Sequence, residues 1–179
     1  MSARPLGSTE LKRLHRTWNR RTEGRLALLL DGVMTPVNVG SIVRLAAAYR
    51  VERLLLAGAT ASPSHPGAQK TAMGTDRYLI IEEHATAAEA AAAAHGHGFT
   101  LVGLELADGA SPLWEVPLAT ATCLAVGHED HGLSAACLAA CDQVAYLPLT
   151  GKVGSLNVAT AAGIALYEAR RQEWLNRPR

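Results

Sequence analysis

Short unbroken runs of apolar residues, separated by segments of helical length, constrain the fold of this chain more than any other feature. They predict six strands, at residues 26–30, 54–57, 78–81, 99–104, 122–126 and 143–147. A run without polar alternation indicates a strand that is buried on both faces, as in a parallel sheet. Alternation of such strands with helices predicts an α/β fold, with a mostly parallel sheet flanked by helices.

Helices are predicted between these strands and at both ends of the chain. Their bounds are about 9–22, 40–50, 85–95, 134–140 and 156–175. The first helix is basic and places Leu11, Leu14 and Trp18 on one stripe at spacings of three and four. Residues 58–76 are rich in Gly, Pro, Ser, Thr and His, which predicts a long loop of the kind that often binds a ligand.

The length of 179 residues fits one domain. We expect residues 1–25 to form a basic helical extension and residues 26–179 to form the single main domain. No apolar run reaches the roughly 18 residues that span a membrane, and the N-terminus shows no signal segment, so we expect a cytoplasmic protein. Only three Trp, four Tyr and one Phe are present, which argues against an RNA surface built from aromatic stacking platforms.

The formal net charge of +1 hides an uneven distribution. Residues 1–25 carry seven Lys or Arg and two Glu. The C-terminal segment carries four arginines, namely Arg170, Arg171, Arg177 and Arg179. Basic ends suggest that the termini meet a polyanion, whereas a solvated helix face is the alternative, and charge alone does not decide between the two.

The cysteines and histidines do not form a recognisable metal or disulfide pattern. Cys123, Cys137 and Cys141 are odd in number and lack disulfide-framework spacing, so we expect them to pack as apolar side chains. His128 and His131 lie three residues apart on a predicted loop without a third ligand in view. No metal is therefore expected.

Three segments that combine glycine with polar residues follow predicted strands. They are NVGSIVR at 38–44, GHEDHG at 127–132 and LPLTGKVGSLN at 147–157. In open parallel sheets, ligands bind at the carboxyl ends of the strands, so this common placement is itself evidence for a site.

In the first segment, Asn38 is expected to cap a helix that begins near Gly40. Arg44 then lies just over one turn into the helix, where an arginine can hold a phosphate. A capped helix with a solvent-exposed arginine is the alternative.

The second segment carries two glycines five residues apart, which superficially resembles a phosphate loop. Leu133 stands where that motif requires Lys, so a nucleoside triphosphate site is not expected. We expect the glycine pair to allow a ligand to approach the backbone closely and to expose Glu129.

In the third segment, Ser155 or Asn157 is expected to open the last long helix. Backbone amides at that helix start lie beside the apolar Leu147, Leu149 and Leu156. This combination suits a ligand that is part adenine and part polar tail.

In chain order, the three segments resemble the three motifs of the SpoU (TrmH-like) branch of the SPOUT RNA methyltransferases. The resemblance covers about residues 26–170, and the third motif matches over more than twenty contiguous positions, LPLTGKVGSLNVATAAGIALYEA. It implies an S-adenosylmethionine-dependent RNA 2′-O-ribose methyltransferase with a C-terminal trefoil knot. It also implies a homodimer whose catalytic pocket is shared between subunits.

The resemblance also implies roles for individual residues. The implied catalytic residues are Asn38, Arg44, Glu129, Ser155 and Asn157. The implied cofactor contacts are Gly127, Leu147, Leu156, Leu104, Val126 and Leu149. Arg44 is expected either to hold the RNA phosphate and stabilise the developing alkoxide or to act as the general base.

The expected substrate is a structured RNA. Short basic extensions around one catalytic domain favour, by analogy, tRNA with a D-loop guanosine as target over ribosomal RNA. The alternative is a non-catalytic RNA-binding module of the same fold, against which the intact set of Arg44, Glu129 and Asn157 argues.

Overall fold

The computed structural model describes residues 3–176, and its centre is a seven-stranded sheet. The strands are β1 (Leu26–Asp31), β2 (Arg53–Ala57), β3 (Ile80–His84), β4 (Thr100–Leu104), β5 (Ser111–Pro112), β6 (Thr122–Gly127) and β7 (Gln143–Tyr146). Their order across the sheet is β3-β2-β1-β6-β4-β7-β5, and every neighbouring pair is parallel. The predicted parallel α/β sheet is confirmed, while the trefoil knot stays a prediction.

Six helices are described, namely α1 (Ser8–Arg20), α2 (Pro36–Ala48), α3 (Pro66–Ala72), α4 (Ala87–Gly96), α5 (Ala135–Ala140) and α6 (Val158–Leu175), and four of them cover the faces of the sheet. Residues of α2 and α6 pack on one face, and residues of α4 and α5 pack on the other. No helix among residues 3–176 is both long enough and apolar enough to cross a membrane.

The apolar runs lie at the centre of the sheet because each strand there is covered on both faces. All six residues of β1 and all six of β6 are buried. In β1, Leu28 and Leu30 face the α2 and α6 side, whereas Ala27 and Leu29 face the α4 and α5 side. Cys123 and Cys137 are buried, Cys141 is half-buried, and all three are free thiols.

Helix α2 begins at Pro36, four residues before the predicted start. The N-cap is Thr35, and Pro36 occupies the first turn, where the backbone N–H that proline lacks would have no helical partner. The prediction that Asn38 caps the helix is therefore wrong. Asn38 lies inside the first turn, and its side chain is directed to other segments of the chain.

The segment at 58–76 is not the long loop that its composition predicts. It contains α3, and a 3₁₀ turn (Asp76–Tyr78) begins at its last residue. Pro66 starts α3, and the His65 imidazole caps it by accepting a hydrogen bond from the backbone N–H of Gly67 at 3.0 Å. A Cβ on Gly40 would lie 2.1 Å from the carbonyl oxygen of Ala68, so α2 and α3 pack backbone to backbone at that glycine.

Two strand predictions are also corrected. The strand expected at 78–81 runs instead from Ile80 to His84, because Tyr78 belongs to the preceding 3₁₀ turn. The short strand β5 was not predicted, since Ser111 and Pro112 have no apolar run around them.

Arg170 is a structural side chain of the interior, with 2% of its surface exposed. Its guanidinium donates to the carbonyl oxygens of Gly24 (2.7 Å), Tyr49 (2.9 Å) and Arg50 (2.9 Å). It also donates to the carboxylate of Glu173 at 2.7 Å. These contacts join α6 to the end of α2 and to the segment that precedes β1.

The prediction that Arg170 belongs to a basic C-terminal tail that meets a polyanion is therefore wrong, because its side chain is buried in the protein. Arg171 forms an ion pair with Glu168 one turn earlier in α6. Arg177 and Arg179 lie outside the described residues, so their expected contact with a polyanion stays a prediction.

We expect Arg170→Ala to lower the free energy of unfolding by about 3 kcal/mol or more, because three carbonyl oxygens and a buried carboxylate lose the guanidinium that they share. The control is Arg171→Ala on the same helix. It removes an arginine whose side chain is 40% exposed from an ion pair within one turn of α6, so the loss should be much smaller. Urea unfolding followed by circular dichroism measures both variants, and losses of equal size would contradict the structural role of Arg170.

Candidate functional site

The carboxylate of Glu129 joins the first two sequence motifs. It lies in the loop after β6 and accepts hydrogen bonds from the backbone N–H groups of Met34 (3.2 Å) and Thr35 (3.0 Å). It also accepts one from the side-chain amide of Asn38 at 2.8 Å. The start of α2 is thereby tied to the loop after β6.

Asn157 adds the third motif to this network. Its side-chain N–H donates to the side-chain oxygen Oδ1 of Asn38 at 2.9 Å. Its own side-chain oxygen Oδ1 accepts from the backbone N–H groups of Ala159 (3.0 Å) and Thr160 (3.2 Å), so Asn157 is the N-cap of α6. The prediction that Ser155 or Asn157 opens this helix is confirmed for Asn157.

The Glu129 carboxyl is held in its ionised form. Burial raises its pKa, but the hydrogen bonds from Asn38 and from Thr35 outweigh that effect and hold the pKa at about 2. A carboxylate that accepts several N–H groups is stabilised in the charged state. Glu129 therefore fits an electrostatic anchor better than a proton donor at neutral pH.

This pKa predicts a pH window for stability. The contribution of the Glu129 carboxylate to the free energy of unfolding is complete above the ordinary value of 4.5 and is lost as the pH falls towards about 2. In Glu129→Gln, we expect the deficit relative to the wild type to be largest at neutral pH and to shrink across that window. Urea unfolding at a series of pH values measures it, and a deficit independent of pH would contradict the assignment.

A cleft of about 630 Å³ lies at the carboxyl ends of β4, β6 and β7. Its lining includes eight of the predicted site residues, namely Leu104, Val126, Gly127, Glu129, Leu147, Leu149, Ser155 and Leu156. Of the other three, Asn38 and Asn157 belong to the Glu129 network beside it, and Arg44 lies apart. The structure thus gathers residues from distant parts of the chain at the edge of the sheet where ligands are expected.

The charged side chains that line this cleft are acidic. They are Glu105, Glu129 and Asp130, and the described lining residues include no Lys or Arg. Phosphate groups are usually held by cationic side chains or helix amides, whereas carboxylates attract a positively charged ligand. With its leucine walls, the cleft favours a ligand that is partly apolar and carries positive charge.

The loop after β6 folds back on itself at its two glycines. His128 and Gly132 exchange two backbone hydrogen bonds of 2.9 Å each. A Cβ on Gly127 would lie 2.1 Å from the Gly132 carbonyl carbon, and a Cβ on Gly132 would lie 2.0 Å from a Glu105 oxygen. These glycines allow close approach of the loop's own backbone and of Glu105, and the expected close approach of a ligand to this backbone stays a prediction.

Two carboxylates that support the site were not predicted. Glu105 accepts a hydrogen bond from the backbone N–H of Leu133 at 2.9 Å, and Asp31 accepts one from the backbone N–H of Ser134 at 2.7 Å. Both acidic residues stand where an apolar strand ends, at a sheet edge that otherwise carries glycine turns. That placement is the sequence signal that could have identified them.

Arg44 does not line the cleft of its own chain. It is exposed, and its guanidinium contacts the Met73 sulfur at 2.9 Å, on the side of α2 that packs against α3. It follows Asn38 by six residues, which places it about 120° away around the helix. Within residues 3–176, no group of three or more His, Cys, Asp or Glu side chains is arranged to hold a metal ion.

The fold and the cleft define an open parallel α/β protein with a cleft at the carboxyl edge of its sheet, where such proteins bind ligands. The model of the SpoU rRNA Methylase family matches residues 25–167. The chain therefore belongs to the SpoU methylase family, as its three motifs predict.

Relatives of this chain include methyltransferases of both ribosomal and transfer RNA. A 23S rRNA (guanosine-2′-O-)-methyltransferase of Acinetobacter baylyi is 34% identical over 148 residues, which is 82% of this chain and 60% of that protein. A tRNA (guanosine(18)-2′-O)-methyltransferase of Escherichia coli is 31% identical over 157 residues, which is 85% of this chain and 66% of that protein.

Among solved structures, a SpoU methyltransferase from Streptomyces viridochromogenes in complex with the cofactor AdoMet is similar, with a TM-score of 0.78 and 31% identity. The match covers 84% of this chain and 61% of that one. This chain spans 54 to 66% of the length of three curated relatives that it matches, including these two methyltransferases.

Proposed function

We propose that this protein is an S-adenosylmethionine-dependent RNA 2′-O-ribose methyltransferase. The observation that carries the proposal is the acidic, leucine-walled cleft that adjoins the Glu129–Asn38–Asn157 network. Relatives that methylate ribose 2′-oxygens of RNA, and a similar structure that holds AdoMet, support it.

The residues of the cleft fit the cofactor. Leu104, Val126, Leu147, Leu149 and Leu156 offer an apolar surface for an adenine ring, and backbone groups around Gly127 offer polar contacts. The acidic lining suits the positive charges on the sulfonium and the amino group. When bound, S-adenosylmethionine supplies an electrophilic methyl group.

Calorimetry tests this cofactor assignment. We expect S-adenosylmethionine and its demethylated product to bind, because the cleft combines apolar walls with acidic side chains. ATP and NAD are the controls and should not bind measurably, because the described lining lacks cationic side chains for their phosphates. Binding of NAD without binding of S-adenosylmethionine would overturn the proposal.

The polar network positions the RNA side of the site. The Asn38 amide donates to Glu129 and accepts from Asn157, so both ends of that amide are fixed. Such fixed dipoles need no reorganisation during a reaction. Ser155 is exposed at the cleft, where its hydroxyl can hydrogen-bond the target ribose.

Arg44 serves as the contact to RNA. An arginine remains protonated at ordinary pH, so its guanidinium can hold a phosphate next to the target nucleotide. From that position it stabilises the negative charge that develops on the ribose 2′-oxygen.

The proposed active form is a homodimer. A groove of about 560 Å³ between α2 and α6 has a largely apolar lining that includes Leu45, Tyr49, Ile164 and Tyr167. Such a surface suits a second copy of the chain. Because Arg44 lies outside the cleft of its own chain, a two-fold arrangement allows the partner's Arg44 to complete the site.

We expect Arg44→Ala to abolish methyl transfer to RNA but to leave the fold, the dimer and S-adenosylmethionine binding nearly intact. A contact made mainly in the transition state lowers kcat more than it raises KM. Arg44→Lys should restore little activity, because an ammonium group cannot reproduce the planar guanidinium. Single-turnover methylation, with cofactor titration alongside, measures these effects. Near-normal turnover by Arg44→Ala would mean that Arg44 is only an exposed helix residue.

For the substrate we favour tRNA, with a D-loop guanosine as the target, and the cytoplasm as the place of action. The support is the Escherichia coli relative and the layout of a basic extension at 1–25 before one catalytic domain at 26–179. Ribosomal RNA is the second candidate, favoured by the relative from Acinetobacter baylyi. Mapping of 2′-O-methyl sites in both RNAs, from cells with and without the gene, decides between them.

A further inference from the structure

Helix α1 is amphipathic, yet none of its 13 residues is buried. Leu11, Leu14 and Trp18 form one stripe along it and remain 42%, 41% and 39% exposed. We call these three residues the apolar stripe. A helix of this length is marginal in water unless its apolar side packs against something.

Little within the same chain covers the apolar stripe. Trp18 contacts Trp174 at a ring-centroid distance of 4.8 Å, at the far end of α6. Leu6 before α1 and Leu175 at the end of α6 are themselves 50% and 68% exposed. The apolar stripe is thus an exposed apolar surface, of the kind that usually marks an interaction site.

This surface is continuous with the groove between α2 and α6. Trp174 contacts Tyr167 at 6.3 Å, and Tyr167 contacts Tyr49 at 6.4 Å, both as edge-to-face ring pairs. Tyr167 and Tyr49 line the groove. A row of aromatic rings thus leads from the apolar stripe to the surface that we assign to a second copy of the chain.

The opposite side of α1 is strongly basic. Among the described residues, none of Lys12, Arg13, Arg16 and Arg20 forms an ion pair. At about 100° per residue, Arg16 lies nearly opposite the centre of the apolar stripe. A helix that docks through the stripe would therefore present these cations to solvent, where RNA phosphates can reach them.

We infer that the apolar stripe of α1 docks on a second copy of the chain and extends the dimer surface beyond the α2 and α6 groove. The inference rests on the proposed homodimer. Under this inference the two sides of α1 have separate functions. The apolar side contacts the other subunit, and the basic side faces the RNA. An RNA ligand alone does not account for the stripe, because the outer surface of a nucleic acid is dominated by phosphate.

The first test compares two double variants of the full chain. In Leu11→Ala/Leu14→Ala the helix propensity is kept while four leucine side chains per dimer are truncated. We expect the dimer dissociation constant, measured by analytical ultracentrifugation, to rise by at least about tenfold. The matched control, Lys12→Ala/Arg16→Ala, should leave that constant within about twofold and lower RNA affinity instead, with a flatter salt dependence.

A second test detects contact between the stripe and the other subunit directly. A photo-crosslinking residue, p-benzoylphenylalanine, is placed at Leu14 or, as the control, at Arg16. Irradiation of the Leu14 variant should give a covalent dimer, and irradiation of the Arg16 variant should give little or none. Equal yields from both positions would contradict the docking of the stripe.

The outcomes separate this inference from the proposed function. A monomeric wild type would overturn the homodimer and the docking of the stripe together. A wild-type dimer that the leucine variant leaves unchanged would overturn the docking alone. A leucine variant that loses only binding to RNA, or only binding to vesicles of phosphatidylcholine and phosphatidylserine, would assign the stripe to that ligand instead.

Discussion

The buried guanidinium of Arg170 sets the geometry on which the rest of the structure depends. It ties α6 to carbonyl oxygens at the end of α2 and to the one that precedes β1. The N-cap of the same helix, Asn157, lies thirteen residues earlier, about 20 Å along the axis. Because α2 and α6 are joined at one end by Arg170, Asn38 and Asn157 can meet at the other. A contact far from the cleft therefore fixes the spacing inside it.

The site itself is built from polar groups that satisfy each other. Glu129 accepts the N–H groups at the start of α2, and Glu105 accepts the backbone N–H of Leu133 at the end of the loop after β6. The glycines of that loop leave room for its own backbone. These hydrogen bonds within the chain hold the cleft wall in place, and electrostatic catalysis relies on such preorganised polar groups.

The sequence predicted the central strands well because their burial on both faces leaves an unmistakable apolar run. The predictions failed in segments whose residue composition is typical of a different structure from the one they adopt. Pro36 and Pro66 start helices in segments that look like loops. Arg170 looks like part of a basic tail, although its charge is buried. The candidate cofactor contacts followed from the resemblance of the motifs. The Glu129 network did not, because hydrogen bonds between distant segments have no period in the sequence.

The all-parallel sheet also affects how this protein folds during its synthesis. Parallel neighbours cannot be joined by a tight hairpin, so a strand can pair only after the longer connection to its partner has been synthesised. Leu26 of β1 pairs on one side with Thr122 of β6, which follows 96 residues later. At ordinary rates of translation that interval lasts roughly 5 to 20 s. Throughout it, β1, whose six residues are all buried in the folded sheet, has one open edge on the nascent chain.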